Sequence, residues 1–164
     1  MTESDQKYQN RRDAVAWGGI DTRARLAGYL GLLPFAAAFV LAAFGGSPQM
    51  SALGLRIALA WGAVILSFIA AVHWGLALAG RWPWTIKVVV VSTIPSVLGA
   101  AAVLLGGERG IALLVAGFGL FWLFEHRRLA DSLPPDYLLL RRVLSIGVCV
   151  LLVLTAFAAA GESR

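Results

Sequence analysis

Apolar residues along the chain form five blocks, separated by short polar segments, at residues 26–44, 55–79, 86–105, 111–124 and 138–160. About 20 apolar residues span a hydrocarbon core roughly 30 Å thick, so every block except the short fourth one is long enough to cross a bilayer. The pattern predicts an all-α integral membrane bundle of five transmembrane helices over residues 26–160. A polar cytoplasmic tail is expected at residues 1–25, and a short C-terminal tail at 161–164.

Composition and charge support a membrane protein with a defined orientation. Apolar residues make up 59% of the chain and charged residues only 14%, whereas a soluble domain carries about 25% charged residues. The net charge of +5 comes from arginines and lysines that flank the apolar blocks, which is typical of membrane topology and does not indicate nucleic acid. Of the 14 basic residues, 11 fall on the side of the N-terminus. Because cytoplasmic loops are enriched in basic residues, we expect a multi-pass protein of the bacterial inner membrane with a cytoplasmic N-terminus and a periplasmic C-terminus.

His73 is the clearest chemical feature, because it is an ionisable residue inside the second apolar block. Two interpretations are open. In the first, a neutral imidazole is hydrogen-bonded to Ser92 or Ser96 of the third block, which lie at a similar depth, and fixes the packing of two helices. In the second, His73 binds a proton or a ligand, since intramembrane ionisable residues are functional candidates and histidine changes charge near neutral pH.

Glu125 follows the fourth apolar block and is the second candidate for a polar or proton site. As a carboxylate beside Arg127 and Arg128, it is expected to form an ion pair at the membrane surface. The alternative is that Glu125 faces inward and pairs with His73.

Two further sets of residues have expected structural roles. Small residues recur every fourth position in the second block and predict close packing of another helix; they are Ala63, Ser67, Ala71 and Gly75. Aromatic and basic residues at block ends are expected to anchor the chain at the headgroups; they are Trp74, Trp82, Trp84, Tyr137 and Arg141.

The sequence contains no recognisable catalytic or metal-binding constellation. Its two histidines are not in an H-E-x-x-H arrangement, and Cys149 is the only cysteine, so a metal site is not expected. Neither a G-x-S-x-G nucleophile motif nor a phosphate-binding loop occurs. We therefore predict no catalytic residues, no metal and no cofactor, and an enzyme is the less favoured class.

Four segments of the chain read S-F-I-A-A-V-H-W-G at 67–75, S-T-I-P-S-V at 92–97, L-P-P-D-Y-L-L-L-R at 133–141 and G-Y-L-G-L-L-P-F at 28–35. These segments resemble a family of small membrane proteins of bacteria and mitochondria that includes transmembrane protein 69. The resemblance covers residues 26–150, and it departs from the family pattern at Asp136, where a tryptophan is expected. It implies a helical membrane fold and an inner-membrane location, but no particular activity.

Three functional hypotheses follow from the sequence. The first is an interaction, assembly or membrane-organising role, with a membrane-protein partner or a second copy of the chain in addition to the lipid bilayer. The second is a small proton-coupled transporter or carrier that uses His73. The third is an intramembrane subunit or enzyme that binds a lipid or a quinone, near Trp74, Trp82 and Trp84.

Overall fold

Five membrane-spanning segments form the protein, as the hydrophobic pattern predicts. The computed structural model describes residues 21–128 and 135–162, and these residues form helices without any strand. The helices are α1 (Thr22–Leu30), α2 (Leu33–Phe44), α3 (Pro48–Leu78), α4 (Ile86–Leu105), α5 (Gly107–Arg128) and α6 (Pro135–Glu162). Together α1 and α2 make the first span, Thr22–Phe44, so five segments are long and apolar enough to cross a membrane. The all-α membrane bundle is confirmed, whereas the predicted tail up to residue 20 and residues 129–134 of the fourth loop lie outside the described residues.

The first span is interrupted between α1 and α2, next to Pro34. The proline occupies the first turn of α2, a position where its missing N–H costs no helical hydrogen bond. The carbonyl of Gly31, at the interruption, accepts a hydrogen bond of 3.0 Å from the indole Nε1 of Trp61. A neighbouring helix therefore satisfies a carbonyl that the interruption frees, as backbone groups in an apolar environment require.

Helix α3 is the central element of the bundle, because it packs against α2, α4, α5 and α6. It begins where Ser47 caps the helix by accepting a hydrogen bond from the backbone N–H of Met50. With 31 residues it is longer than its apolar block and carries the face that the other helices cover. The buried residues of that face are Ser51, Gly54, Ala58, Leu59, Gly62, Leu66, Ala70, His73 and Ala77.

The small residues predicted to pack a helix do so only in part. A Cβ added to Gly99 of α4 would lie 3.0 Å from the Cα of Ala63, so these two helices are in close contact there. Ser67 donates a hydrogen bond to the carbonyl of Ala63 within its own helix. Ala71 and Gly75 are exposed, and nothing lies within 4 Å of a Cβ added to Gly75. Within the described chain no helix covers this half of the stripe, because the bundle covers the His73 face of α3 instead, and its packing role stays a prediction.

The last two helices extend further than their apolar blocks and carry charged residues into the bundle. Helix α5 has 22 residues, eight more than the block at 111–124, and it includes Glu125. Helix α6 starts at Pro135, so Arg141 lies almost two turns inside it. At its exposed end, Asp136 pairs with Arg25 of α1 at 2.9 Å. The hydrophobic pattern predicts both helices too short, because an apolar block ends at the first charged residue whereas the helix continues past it.

Candidate functional site

Four polar side chains from three helices meet inside the bundle. They are His73 of α3, Glu125 of α5, and Arg141 and Ser145 of α6, and their exposed fractions are 2%, 1%, 6% and 4%. Charged residues are almost never fully buried unless they are paired. We call these four residues the polar cluster, and its internal contacts decide what it can do.

Arg141 forms the strongest contacts of the cluster. Its Nε donates to Oε2 of Glu125 at 3.0 Å, and its Nη1 donates to Oγ of Ser145 at 2.9 Å. Ser145 lies one helical turn beyond Arg141, so both side chains project from the same face of α6. The hydroxyl of Tyr137 faces the same guanidinium from the preceding turn. The pair of Glu125 and Arg141 joins α5 to α6 through two opposite charges.

His73 completes the cluster from α3, but its contact with Glu125 is longer than a hydrogen bond. Nε2 of His73 lies 3.6 Å from Oε1 of Glu125, and Nδ1 lies 3.3 Å from the carbonyl of Ala70. Within the described residues, Nε2 of His73, Oε1 of Glu125 and Nη2 of Arg141 are buried without any hydrogen-bond partner. Buried polar atoms of native proteins are nearly always bonded, so these three atoms are hydrogen-bonding positions that a proton or a ligand group can use.

Aromatic rings enclose the imidazole. The ring centroids of Trp82 and Phe121 each lie 5.4 Å from that of His73, and the guanidinium carbon of Arg141 lies 5.6 Å from the Phe121 ring centroid. Trp82 follows the end of α3 and Phe121 precedes Glu125 by one turn, so both rings come from the segments that supply the charged groups. Removal of water by these rings strengthens the interactions between the charges.

The structure separates the predicted serines from His73. Ser92 donates its hydroxyl hydrogen to the carbonyl of Val88 at 2.8 Å, and Nδ1 of His73 faces its own helix, so the expected hydrogen bond from His73 to Ser92 or Ser96 is not formed. The expectation of a surface ion pair for Glu125 is also wrong, because the side chain is 1% exposed and binds Arg141. The alternative, in which Glu125 faces inward toward His73, describes the observed geometry.

The predicted anchors fall into two groups. Trp74 and Trp84 are exposed and form an edge-to-face pair with centroids 5.2 Å apart, whereas Trp82 and Tyr137 are only partly exposed. The anchor assignment of Arg141 is wrong, because its guanidinium is bonded inside the bundle and does not reach toward the headgroups. The sequence signal for its actual role is that an arginine, Arg141, and a carboxylate, Glu125, lie at similar depths in consecutive helices.

A cavity of about 440 Å³ lies next to the polar cluster, between α1, α3 and α6. Ligand pockets typically measure about 300–1,000 Å³ and are mostly apolar with a few polar groups. Here the wall is apolar except for the two residues of the polar cluster that belong to α6. The lining includes Ala27, Gly31, Phe68, Phe118, Arg141 and Ser145. Ala27 and Phe68 are also exposed at the outer surface, so the cavity is reached from the side of the bundle.

No group of three or more His, Cys, Asp or Glu residues that could hold a metal ion occurs within residues 21–128 and 135–162. The chemistry of the site consists of one fixed positive charge, two groups that can exchange protons, and an apolar cavity.

These features define a multi-pass helical membrane protein with a buried polar cluster beside a lateral cavity. Over residues 20–157 the chain matches a family described as proteins of unknown function (DUF3429), and it belongs to that family. Comparisons with curated proteins and with solved structures give no match. The more specific resemblance to transmembrane protein 69 stays a prediction.

Proposed function

We propose that the protein binds a small amphipathic molecule within the membrane, in the cavity beside Arg141 and Ser145. One observation carries this proposal: the polar wall of an otherwise apolar cavity belongs to the buried polar cluster. An apolar chain in the cavity would contact side chains such as Phe68 and Phe118, while a polar head would meet the cluster. The proposal takes up the third sequence-based hypothesis, binding of a lipid or a quinone.

The site also supports donation of a hydrogen bond to the head of the bound molecule. The oxygen of Ser145 accepts a hydrogen bond from Nη1 of Arg141, and among the described residues the Ser145 hydroxyl donates no hydrogen bond. A hydroxyl group carries one donor and two acceptor positions. That hydrogen is therefore available to a carbonyl, carboxylate or sulfonate oxygen.

Membrane location and orientation belong to the same proposal. The excess of basic residues beside the N-terminus supports a bacterial inner membrane protein with a cytoplasmic N-terminus and a periplasmic C-terminus. On this orientation the polar cluster lies in the cytoplasmic half of the bundle, since it is near the end of α3 and the start of α6. A ligand head would approach from the cytoplasmic leaflet.

The proposal is tested by binding of two probes to the purified full chain in detergent micelles, octanesulfonate and the uncharged octanol. Ala27→Trp places a large side chain in the cavity, and Ala100→Trp, on the exposed face of α4, is the matched control. At least one probe should bind to the wild type and to the control, and the cavity-filling variant should lose that binding. If neither probe binds, or if both variants bind equally well, the cavity is not a ligand site.

Mass spectrometry of the protein extracted gently from its own membrane identifies the natural ligand and any protein partner. A small molecule that is present in the wild type and absent from Ala27→Trp would support the binding proposal.

The interaction or assembly role stays a second prediction. The exposed Ala71 and Gly75 would be the place where a partner helix packs, and a stoichiometric co-purified protein that Ala71→Trp removes would support that role.

A further inference from the structure

We infer that the cavity takes an amphiphile with a singly charged anionic head and that one proton enters the His73 and Glu125 pair when it binds. This inference rests on the proposed function and names its ligand class and its regulation. Its physical basis is the charge balance of the polar cluster, the unpaired Nε2 of His73 and Oε1 of Glu125 that face each other, and the position of Arg141 on the cavity wall.

The cluster without ligand is neutral. Arg141 contributes one positive charge, Glu125 contributes one negative charge, and His73 is uncharged when its ring carries one proton. A net charge in a site removed from water is costly. An anion that enters the cavity would leave one net negative charge, whereas an anion accompanied by one proton would leave the cluster neutral. Uptake of both together is therefore favoured over uptake of the anion alone.

The proton has a place in the structure. Nε2 of His73 and Oε1 of Glu125 are 3.6 Å apart and neither has a hydrogen-bond partner within the described residues. A proton between them lets one atom donate to the other once the two atoms, now 3.6 Å apart, approach by about 0.7–0.9 Å, since such hydrogen bonds measure about 2.7–2.9 Å. Because the two groups interact closely, they are expected to titrate as one unit.

Within residues 21–128 and 135–162, the ion pairs of Glu125 join it to His73 and to Arg141, and they include no second fixed cation. Among the described residues, the charged or titratable side chains that face the pair are Arg141 and Tyr137 of α6, with Cys149 about two turns further along the same helix. On α3 and the segment after it, the groups against His73 are the Ala70 carbonyl and the Trp82 ring. Arg141 is the cation that contacts the pair in the described part of the chain, and Glu125 already binds it.

Protonation of the His73 and Glu125 pair makes Arg141 available to an anion in the cavity. When Glu125 no longer carries a full negative charge, its attraction for Arg141 weakens, and the guanidinium needs another anion. Arg141 and Ser145 both line the cavity, so the new anion can be the head of the bound amphiphile. A single arginine with two of its nitrogens already bonded suits one negative charge better than the two of a phosphate monoester.

Proton uptake is measured by titration calorimetry of octanesulfonate in buffers that differ in ionisation enthalpy. The sulfonate stays ionised between about pH 6 and pH 8, so any proton that is taken up must go to the protein. We expect about one proton per bound sulfonate, and an affinity that rises about tenfold for each unit by which the pH falls, as a one-proton linkage requires. Octanol, without a charge, should bind with no proton uptake.

Variants of the pair should both lose the proton uptake but should change the affinity for octanesulfonate in opposite directions. Glu125→Gln removes the negative charge and leaves Arg141 without a counter-ion, so octanesulfonate should bind tightly, with no proton uptake and no dependence on pH. His73→Gln should bind more weakly and also lose the proton uptake. His126→Gln and Glu108→Gln, which change exposed residues of α5, are matched controls and should behave as the wild type. Circular dichroism and size-exclusion chromatography establish that each variant is folded.

The inference fails separately from the proposed function. If Ala27→Trp abolishes binding but octanesulfonate binds to the wild type without proton uptake, the cavity is a ligand site and the coupling is wrong. Binding of octanol alone would also overturn the inference, because it would show a neutral ligand class. If Glu125→Gln does not fold alone, its stabilisation by octanesulfonate during refolding decides, since binding to the folded state shifts the equilibrium toward it. Absence of that stabilisation would count against the inference.

Discussion

Removing one member of the pair of Glu125 and Arg141 should destabilise the bundle much more than removing both. The two side chains are 1% and 6% exposed and are joined at 3.0 Å, so the pair belongs to the buried class. Breaking a buried pair costs about 3–5 kcal/mol because an uncompensated charge is left behind, whereas replacing both partners by apolar residues is often neutral or stabilising. Exposed ion pairs contribute only about 0–1 kcal/mol.

The test is a double-mutant cycle made of the wild type, Glu125→Leu, Arg141→Leu and the double variant. Each single variant should lose about 3–5 kcal/mol of unfolding free energy, and the double variant should be close to the wild type. The coupling energy should therefore exceed about 2 kcal/mol, the upper end of the values for hydrogen bonds between membrane helices. Unfolding is followed by circular dichroism in mixed micelles of a mild detergent and sodium dodecyl sulfate.

Arg142 provides the matched control, because it is the next residue of α6 and is exposed. A cycle of Glu125→Leu with Arg142→Leu should give a coupling near zero, since the side chains do not share a contact. Additive losses for Glu125→Leu and Arg141→Leu, within about 0.5 kcal/mol, would show that the two charges do not meet and would refute the polar cluster.

Three further predictions concern the helices and their orientation. A Cβ added to Gly54 would lie 2.5 Å from the carbonyl oxygen of Ala38, so Gly54→Ala should lower the unfolding free energy by about 1–3 kcal/mol in the same assay. Gly75→Ala, which has open space at its Cβ, is the control and should leave the unfolding free energy unchanged or raise it by up to about 1 kcal/mol. Equal losses for the two variants would contradict the contact between Gly54 and Ala38. Trp61→Phe should cost about 1 kcal/mol through loss of the hydrogen bond to the Gly31 carbonyl, and an unchanged unfolding free energy would show that the interrupted first span does not need it. A phosphatase fused to the C-terminus should be active and a fluorescent protein there dark, as a periplasmic terminus requires; the opposite pattern would contradict the proposed orientation.

The fold was predictable because a membrane-spanning helix is defined by its hydrophobicity, which can be summed over consecutive residues of the sequence. Five blocks of apolar residues lead to five spans, and turn residues such as Gly46 and Pro48 lie where the connections occur. Which face of α3 is covered was not predictable from residue size alone. Small residues line one face at Ala71 and Gly75, but the bundle covers the face of His73, because packing depends on all neighbouring helices and not on one stripe.

The candidate site was half predictable. His73 stands out because it interrupts an apolar block, and Glu125 is recognised only as an alternative to a surface ion pair. Arg141 is read as an anchor because a hydropathy window ends a span at its first charged residue. The rule that locates membrane helices by hydropathy therefore assigns their buried charged residues to the loops. Both partners of the ion pair, Glu125 and Arg141, are then placed outside the predicted spans.

Depth along consecutive helices supplies the information that hydropathy lacks. Glu125 lies three residues before the end of α5 and Arg141 six residues after the start of α6, so at 1.5 Å per residue the two are about 5 and 9 Å from the same end of the bundle. His73 lies five residues before the end of α3, about 8 Å from that end. Three ionisable residues at nearly one depth, two of them with opposite charge, indicate a buried cluster before any contact is known. Burying the charge of any one of these residues alone in an apolar environment would cost much free energy, so their common depth indicates that their charges compensate one another. The hydrogen-bonding positions that remain unpaired among them then mark where a proton and a ligand can enter.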